Sequence, residues 1–349
     1  MRKTIKIAGR TIGENNPTFL IAEIGQAHDG SLGIAHSYID AVAKTGFDAI
    51  KFQTHIAEAE STFDEEFRVK FSFEDKTRFD YWKRMEFSAE QWLELKKHAD
   101  EKNLIFMSSA FSIEAVQLLN KIGIELFKIG SGDFNSEFLL KEIIKTNKPL
   151  LLSCGMHSIE EIKERISWLK NYNVKAFGLF QCTSKYPTPL PEVGINVIDQ
   201  LKENCDFPIG LSDHSGTIYP SLLALAKQTD LIEVHATFSK DSFGPDSITS
   251  LTMDELKFIA EAREKFNLII NNPVDKTKNS GSFIEMKKLF SRSIALKHDL
   301  NKGEVITKEM LTFKKPASGI PESQTASIIG KKAVNNISRF RLLKWNDLE

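Results

Sequence analysis

Short, almost unbroken apolar runs recur along the chain, each closed by polar residues and followed by a stretch with helical spacing. They are FLIAEIG from Phe19, AIKFQT from Ala49, IFMSSA from Ile105 and LFKIGS from Leu126. LLLSCG from Leu150, AFGLFQCT from Ala176, IGLSDHS from Ile209 and LIEVHAT from Leu231 follow. Near-continuous apolarity is what parallel strands covered on both faces require. The intervening segments carry helix signals. SLGIAHSYIDAVAKTG has apolar residues at helical spacing and stops at Gly46. Two others open on a capping-box pattern, Ser88 with Gln91 and Ser158 with Glu161.

Eight strand–helix units predict an α/β fold, a (β/α)8 TIM barrel. A doubly wound open sheet is the alternative, and the count of eight favours the closed form. Two segments break the rhythm. TIKIAGRTIGENN, ahead of the first strand, reads as a short hairpin placed to plug the amino-terminal end of the barrel. The connection from His55 to Phe87, rich in Phe and charge, is long enough to expect a lid or an interface. Within it, FDEEFRVKFSFEDK reads as a solvated or interfacial loop and not a catalytic element. After LIINNPVDKTKNSGSF, a linker-like run, the remainder reads as a small β-rich module whose core is too small for comfortable independence. The division expected is a catalytic barrel with its hairpin over 1–280 and a small domain over 281–349.

Composition narrows the class. The chain has 349 residues, 41% hydrophobic and 27% charged, with a net charge of −1. No global basic field attracts nucleic acid or anionic membrane, and no apolar run approaches the roughly 20 residues needed to cross a bilayer. The amino-terminal residues lack the apolar segment of a signal peptide. The 3 cysteines, Cys154, Cys182 and Cys205, have no metal-type spacing. A reduced, cytoplasmic protein is expected, with the cysteines as small buried packing residues.

In a barrel enzyme the active site lies at the carboxy-terminal ends of the strands, and every expected tip here is polar. In strand order they offer Glu23, Gln26 and His28; Lys51, Gln53 and His55; Ser108 and Ser109; Lys128, Ser131 and Asp133; Ser153; Gln181, Thr183, Ser184 and Tyr186; Ser212, Asp213 and His214; Glu233 and His235. Lys51 and Lys128 sit inside apolar runs, where an unpaired ammonium is costly. They imply a bound phosphate or carboxylate, Schiff-base chemistry, or a salt bridge to Glu23 or Asp133. Hydroxyls at Ser131, Ser153 and Ser212 favour the anion. His214 and His235 occupy equivalent places on adjacent strands, about 5 Å apart, which suits two imidazoles on one open-sided metal ion. Two hydrogen-bonded core histidines would satisfy the same spacing. Asp213 and Glu233 are placed to orient the rings, and His28 and His55 to line the pocket.

The motifs IAEIGQAHDGS, IKFQTH, FKIGSGDFNS, LLLSCGM, QCTSKYPTP, IGLSDHSGT and FGPD, in this order, resemble the sialic acid synthase family (N-acetylneuraminate synthase-like). IALKHDLNKGEVITKEMLTFKKPASGIP resembles that family's carboxy-terminal SAF, or antifreeze-like, domain. The resemblance implies condensation of phosphoenolpyruvate with an open-chain N-acetylhexosamine-type aldehyde to a nine-carbon 3-deoxy-2-keto acid and phosphate. It implies Mn²⁺ or Mg²⁺ held by His214 and His235, and a domain-swapped homodimer. Motif matching places phosphoenolpyruvate on Lys51, Lys128, Ser131, Ser153, Ser184 and Ser212. It places the acceptor sugar on Glu23, Gln53, Asp133, Tyr186 and Asp246. Lys315, in KKPASG, stands where the family commonly has an arginine reaching across from the partner. Asp133 is a methylene shorter than the common glutamate, Ser184 replaces an asparagine, and HATFSKDSFGPD and AHDG differ from the usual runs. These departures leave the acceptor open among N-acetylmannosamine, a diacetamido-trideoxyhexose on the way to a legionaminic- or pseudaminic-type product, and other hexose derivatives. Glu23 is assigned proton transfer, with His214 and His235 completing the catalytic set. The rival functions are a lysine Schiff-base aldolase or lyase, and a non-catalytic carbohydrate-binding barrel.

Overall fold

The computed structural model describes residues 3–67, 71–278 and 281–349. They form two compact units, Met1–Asn271 and Asn272–Glu349. In the first unit a hairpin, β1 (Ile5–Ile7) and β2 (Arg10–Ile12), precedes eight parallel strands. These are β3 (Phe19–Gly25), β4 (Ala49–Thr54), β5 (Ile105–Ala110), β6 (Phe127–Ile129), β7 (Leu150–Ser153), β8 (Phe177–Cys182), β9 (Ile209–Asp213) and β10 (Leu231–Thr237). Each pairs with the next, and β10 pairs with both β9 and β3, so the sheet closes. A short β11 (Leu251–Thr252) pairs in parallel with the end of β10. This is the TIM barrel.

The apolar runs conceal an alternation. Leu20, Ala22 and Ile24 of β3 point outward into the large core under the helices. Phe19 and Ile21 point inward, where they meet Ala49, Ile105, Met107, Leu151 and Leu231 in a separate interior cluster. Ile5, Ile7 and Ile12 of the hairpin belong to that same cluster, so the hairpin plugs the barrel from below. One inward position further along seven of the eight strands, the apolar filling gives way to Glu23, Lys51, Ser109, Lys128, Ser153, Ser212 and Glu233, all buried, while β8 presents Cys182. The change of character along a single inward phase makes a polar floor on an apolar plug.

The helices begin where their caps are. Ser31 caps Leu32–Val42, and complete capping boxes at Ser88/Gln91 and Ser158/Glu161 open Ala89–Glu101 and Ile159–Asn171. The long connection after β4 is partly helical, with Ala57–Glu60 and Arg78–Met85, the latter opened by a Thr77/Asp80 capping box. Arg84 fastens it by donating to Asp75 and, at 2.6 Å, to Asp29 in the loop after β3. Of the charge run in this connection, Arg68, Val69 and Lys70 lie outside the described residues.

The second unit contains the antiparallel pair β12 (Ser293–Leu296) and β13 (Leu311–Lys314), with further single bridges such as Leu300–Ile337 and Ala333–Leu348. Ile294, Leu296, Leu300, Ile306, Ile328 and Leu343 fill its own small core. Among the described residues no helix is long and apolar enough to cross a membrane.

Candidate active site

A cavity of about 970 Å³ opens at the carboxy-terminal ends of the strands. Its floor is a run of buried charges. Lys51 Nζ lies 2.6 Å from Glu23 and 3.8 Å from Glu233, and Lys128 Nζ lies 3.2 Å from Glu233. The register explains the meeting: Glu23 stands opposite Lys51, and Ser212 opposite Glu233. Hydroxyls complete the pairing. Lys51 donates to Ser109 at 3.2 Å, Lys128 to Ser153 at 2.8 Å, and Ser212 to Glu233 at 3.1 Å.

Burial acts against every charge here, and the neighbours decide the outcome. It pushes Lys51 down, but Glu23 and Glu233 outweigh it, and its pKa ends above the ordinary value. For Lys128 burial prevails over Glu233, with Lys51 adding repulsion, and its pKa is lowered. Burial would raise Glu233, but the two lysines hold its carboxyl well below the usual range. The floor thus sets two lysines against two glutamates.

Above the floor sit His214 and His235, ring centroids 5.4 Å apart. Both Nδ1 atoms are buried without a hydrogen-bond partner. Burial, helped by His235, pulls the His214 pKa down to about 3, which keeps the ring neutral as a metal ligand must be. Tyr186 covers His214 at 4.4 Å, and Asp246 Oδ2 lies 3.8 Å from His235 Nδ1. Gly25 makes room for this group. Its φ is +52°, and an added Cβ would stand 3.3 Å from Asp246 and 3.4 Å from His235. Unsatisfied buried imidazole nitrogens fit a divalent ion with open positions. Among the described residues no third His, Cys, Asp or Glu completes a closed metal centre.

The cavity gathers Glu23, Lys51, Gln53, Lys128, Ser131, Asp133, Ser153, Ser184, Tyr186, Ser212, His214, His235 and Asp246. Lys315 belongs to the second unit, its ammonium 5.1 Å over the Phe290 ring. Several expectations need correction. Glu233 does not orient a histidine. It lies one inward layer below His235, about 6.6 Å along the strand, and serves the lysines. Asp213 follows the outward phase of β9, and its carboxylate accepts from the Ser215 hydroxyl at 2.7 Å and backbone N–H at 3.2 Å. His28 is fully buried against Phe87, away from the cavity lining. Cys182 is not mere packing: it lines the cavity, Sγ 3.0 Å from Ser131 Oγ. In the charge run, Glu65, Phe67 and Phe71 line the cavity.

His55 lines the cavity as expected, whereas Glu60, Trp82 and Phe111 beside it were missed. His55 stacks between Trp82 at 3.9 Å and Phe111 at 4.5 Å. Its Nδ1 faces Glu60, and its Nε2 faces Gln53 Oε1 at 3.3 Å. Gln53 in turn donates to Glu23 at 2.8 Å. The unusual length of the connection and His55 at the strand tip were the signals for this wall.

Residues 38–274 match the model of the NeuB family, and residues 291–349 match the SAF domain. The chain is 32% identical to the N,N'-diacetyllegionaminic acid synthase of Campylobacter jejuni, over 94% of this chain and 99% of that one. It is 31% identical to the human N-acetylneuraminate-9-phosphate synthase, over 93% and 91%. The solved N-acetylneuraminic acid (sialic acid) synthetase of Leptospira borgpetersenii, in complex with citrate, superposes with a TM-score of 0.72 at 31% identity. It covers 82% of this chain and 97% of that one.

Proposed function

This chain belongs to the NeuB family of sugar-acid synthases, and from that premise we propose its reaction: phosphoenolpyruvate condenses with the open-chain aldehyde of an N-acetylhexosamine-type sugar. Three carbons join six, giving a nine-carbon 3-deoxy-2-keto acid and inorganic phosphate. The observation that carries this reading is the floor of paired Lys51, Lys128, Glu23 and Glu233 beneath two unpartnered imidazoles.

In this reading Lys51 and Lys128 direct N–H donors at the phosphate and carboxylate of phosphoenolpyruvate, and Ser131, Ser153, Ser184 and Ser212 add hydroxyl donors. Gln53, Asp133, Tyr186 and Asp246 hold the acceptor so that its aldehyde carbon meets the enol carbon. His214 and His235 hold Mn²⁺ or Mg²⁺, which when bound supplies Lewis-acid polarisation of the aldehyde oxygen. Attack forms the new C–C bond. Water then adds at the former enol carbon, and phosphate leaves from that carbon. Glu23, hydrogen-bonded through Gln53 and paired with Lys51, is the group placed to transfer the proton. Lys315 reaches the acceptor from the second unit of a partner protomer in a domain-swapped homodimer.

The test is phosphate release from phosphoenolpyruvate with a panel of acceptor sugars and Mn²⁺ or Mg²⁺. The expected result is release that requires both an aminosugar aldehyde and the metal. No release with N-acetylmannosamine, its 6-phosphate or a diacetamido-trideoxyhexose would overturn the reading. Sedimentation equilibrium checks the dimer.

A further inference from the structure

The wall after β4 carries a carboxylate that the reaction above does not use. Glu60 ends the short helix Ala57–Glu60, and its side chain is only 8% exposed, yet it lines the cavity. One oxygen faces His55; the other, Oε2, is buried without a hydrogen-bond partner. The His55 ring is clamped between Trp82 and Phe111 and reaches Gln53 with its far nitrogen, so the Glu60 carboxylate is held in place. A buried acceptor left unmatched costs free energy that an arriving donor recovers. Rigid support of this kind is what a recognition group requires.

The surroundings decide which ligand atoms are welcome. Asp133 lines the same cavity, and burial, followed by the charge of Glu60, raises its carboxyl. Arg78 also lines the cavity but is paired with Glu65 at 3.2 Å. The floor lysines are matched by Glu23 and Glu233. Around the barrel β4 stands two strands from β10, so Glu60 is set apart from the imidazole pair where the aldehyde reacts.

Resting on the condensation reading, we propose that Glu60, which lines the same cavity as Asp133, is a specificity-determining residue for the acceptor. It accepts a hydrogen bond from a hydroxyl or amide N–H on the part of the sugar away from the aldehyde. It rejects a phosphate there, because two carboxylates and a phosphate present only acceptors and like charge to one another.

The experiment compares kcat/KM for N-acetylmannosamine, its 6-phosphate and a diacetamido-trideoxyhexose in the wild-type chain, Glu60→Gln and Glu60→Asp. Expected for the wild type is a preference of at least 100-fold for an unphosphorylated sugar. Glu60→Gln, which can donate to phosphate, shifts the ratio of phosphorylated to unphosphorylated acceptor upward at least tenfold. The shift falls on the acceptor KM and leaves the KM for phosphoenolpyruvate within twofold. Glu60→Asp keeps the charge and the rejection. A wild type that prefers the 6-phosphate, or a ratio unmoved in Glu60→Gln, overturns the proposal. If no sugar releases phosphate, the condensation reading falls instead. Calorimetric titration of the same three sugars onto the same three proteins then decides Glu60 separately, with tighter binding of the 6-phosphate to the wild type refuting it.

Discussion

The buried charge floor makes a quantitative prediction through Glu233. Its carboxylate lies 3.2 Å from Lys128 and 3.8 Å from Lys51, and all three side chains are at most 5% exposed. At an effective dielectric constant near 20, the closer pair alone attracts by about 5 kcal/mol. Glu233→Gln leaves two buried ammonium groups facing the single carboxylate of Glu23. Removing one partner of a buried pair destabilises by about 3–5 kcal/mol, which for a unit of this size lowers Tm by about 6–20 °C. Lys128→Met leaves the opposite imbalance, two carboxylates against Lys51, at a similar cost. The double variant restores neutrality, with Lys51 and Glu23 still 2.6 Å apart. It should therefore be more stable than the sum of the single losses implies, by about 2–3 kcal/mol. Thermal unfolding of the wild type, both singles and the double, at fixed protein concentration, supplies the cycle. Additivity to within about 0.5 kcal/mol would refute the reasoning, because the two groups would then not share a buried field. Turnover separates this from function: the double variant recovers stability but not phosphate release.

Three other outcomes follow from the site. His214→Ala and His235→Ala should each abolish calorimetric Mn²⁺ binding and lower phosphate release by more than 100-fold; full turnover in either would remove that residue from the metal site. Gly25→Ala forces a left-handed residue, costing about 1–2 kcal/mol, and crowds His235 and Asp246. It should fold with unchanged circular dichroism yet lose at least tenfold in turnover, and wild-type rates would show the crowding to be harmless. Borohydride with pyruvate should leave Lys51 and Lys128 unlabelled by mass spectrometry, whereas a reduced adduct on Lys128, whose pKa burial lowers, would turn the chemistry to a Schiff base.

What the sequence revealed and what it concealed divide along physical lines. Eight apolar runs with polar ends were enough for the barrel and for the ring of side chains at its mouth, because strand ends and inward positions are set by local periodicity. The helix starts at Ser88 and Ser158 were legible because a capping box is contained in four residues. The role of Glu233 was not. Adjacency to His235 in sequence suggested a ring-orienting carboxylate, but successive inward residues sit a layer apart, and Glu233 meets Lys128 only across the barrel interior. Asp213 failed for the opposite reason, lying on the outward phase beside an inward neighbour. Glu60 was invisible because its position depends on how a connection without periodicity folds back over β4 and stacks Trp82 on His55.

The charges also separate two tasks within one cavity. The floor sets two glutamates against its two lysines, so it is not a bare anion trap; its value lies in ammonium and hydroxyl donors already aimed and already desolvated. In the condensation reading, oxygens of phosphoenolpyruvate compete with Glu23 and Glu233 for the same two lysines. In the same reading the acceptor wall works differently. Glu60 and Asp133 come from the connections after β4 and β6, outside the strands that carry the lysines. A change of acceptor can be written into those connections while the floor stays as it is. The departures from the family pattern follow that division only in part: Asp133 varies while Lys51, Lys128 and the imidazole pair stand where the motifs place them, but Ser184, read as a phosphoenolpyruvate group, varies too.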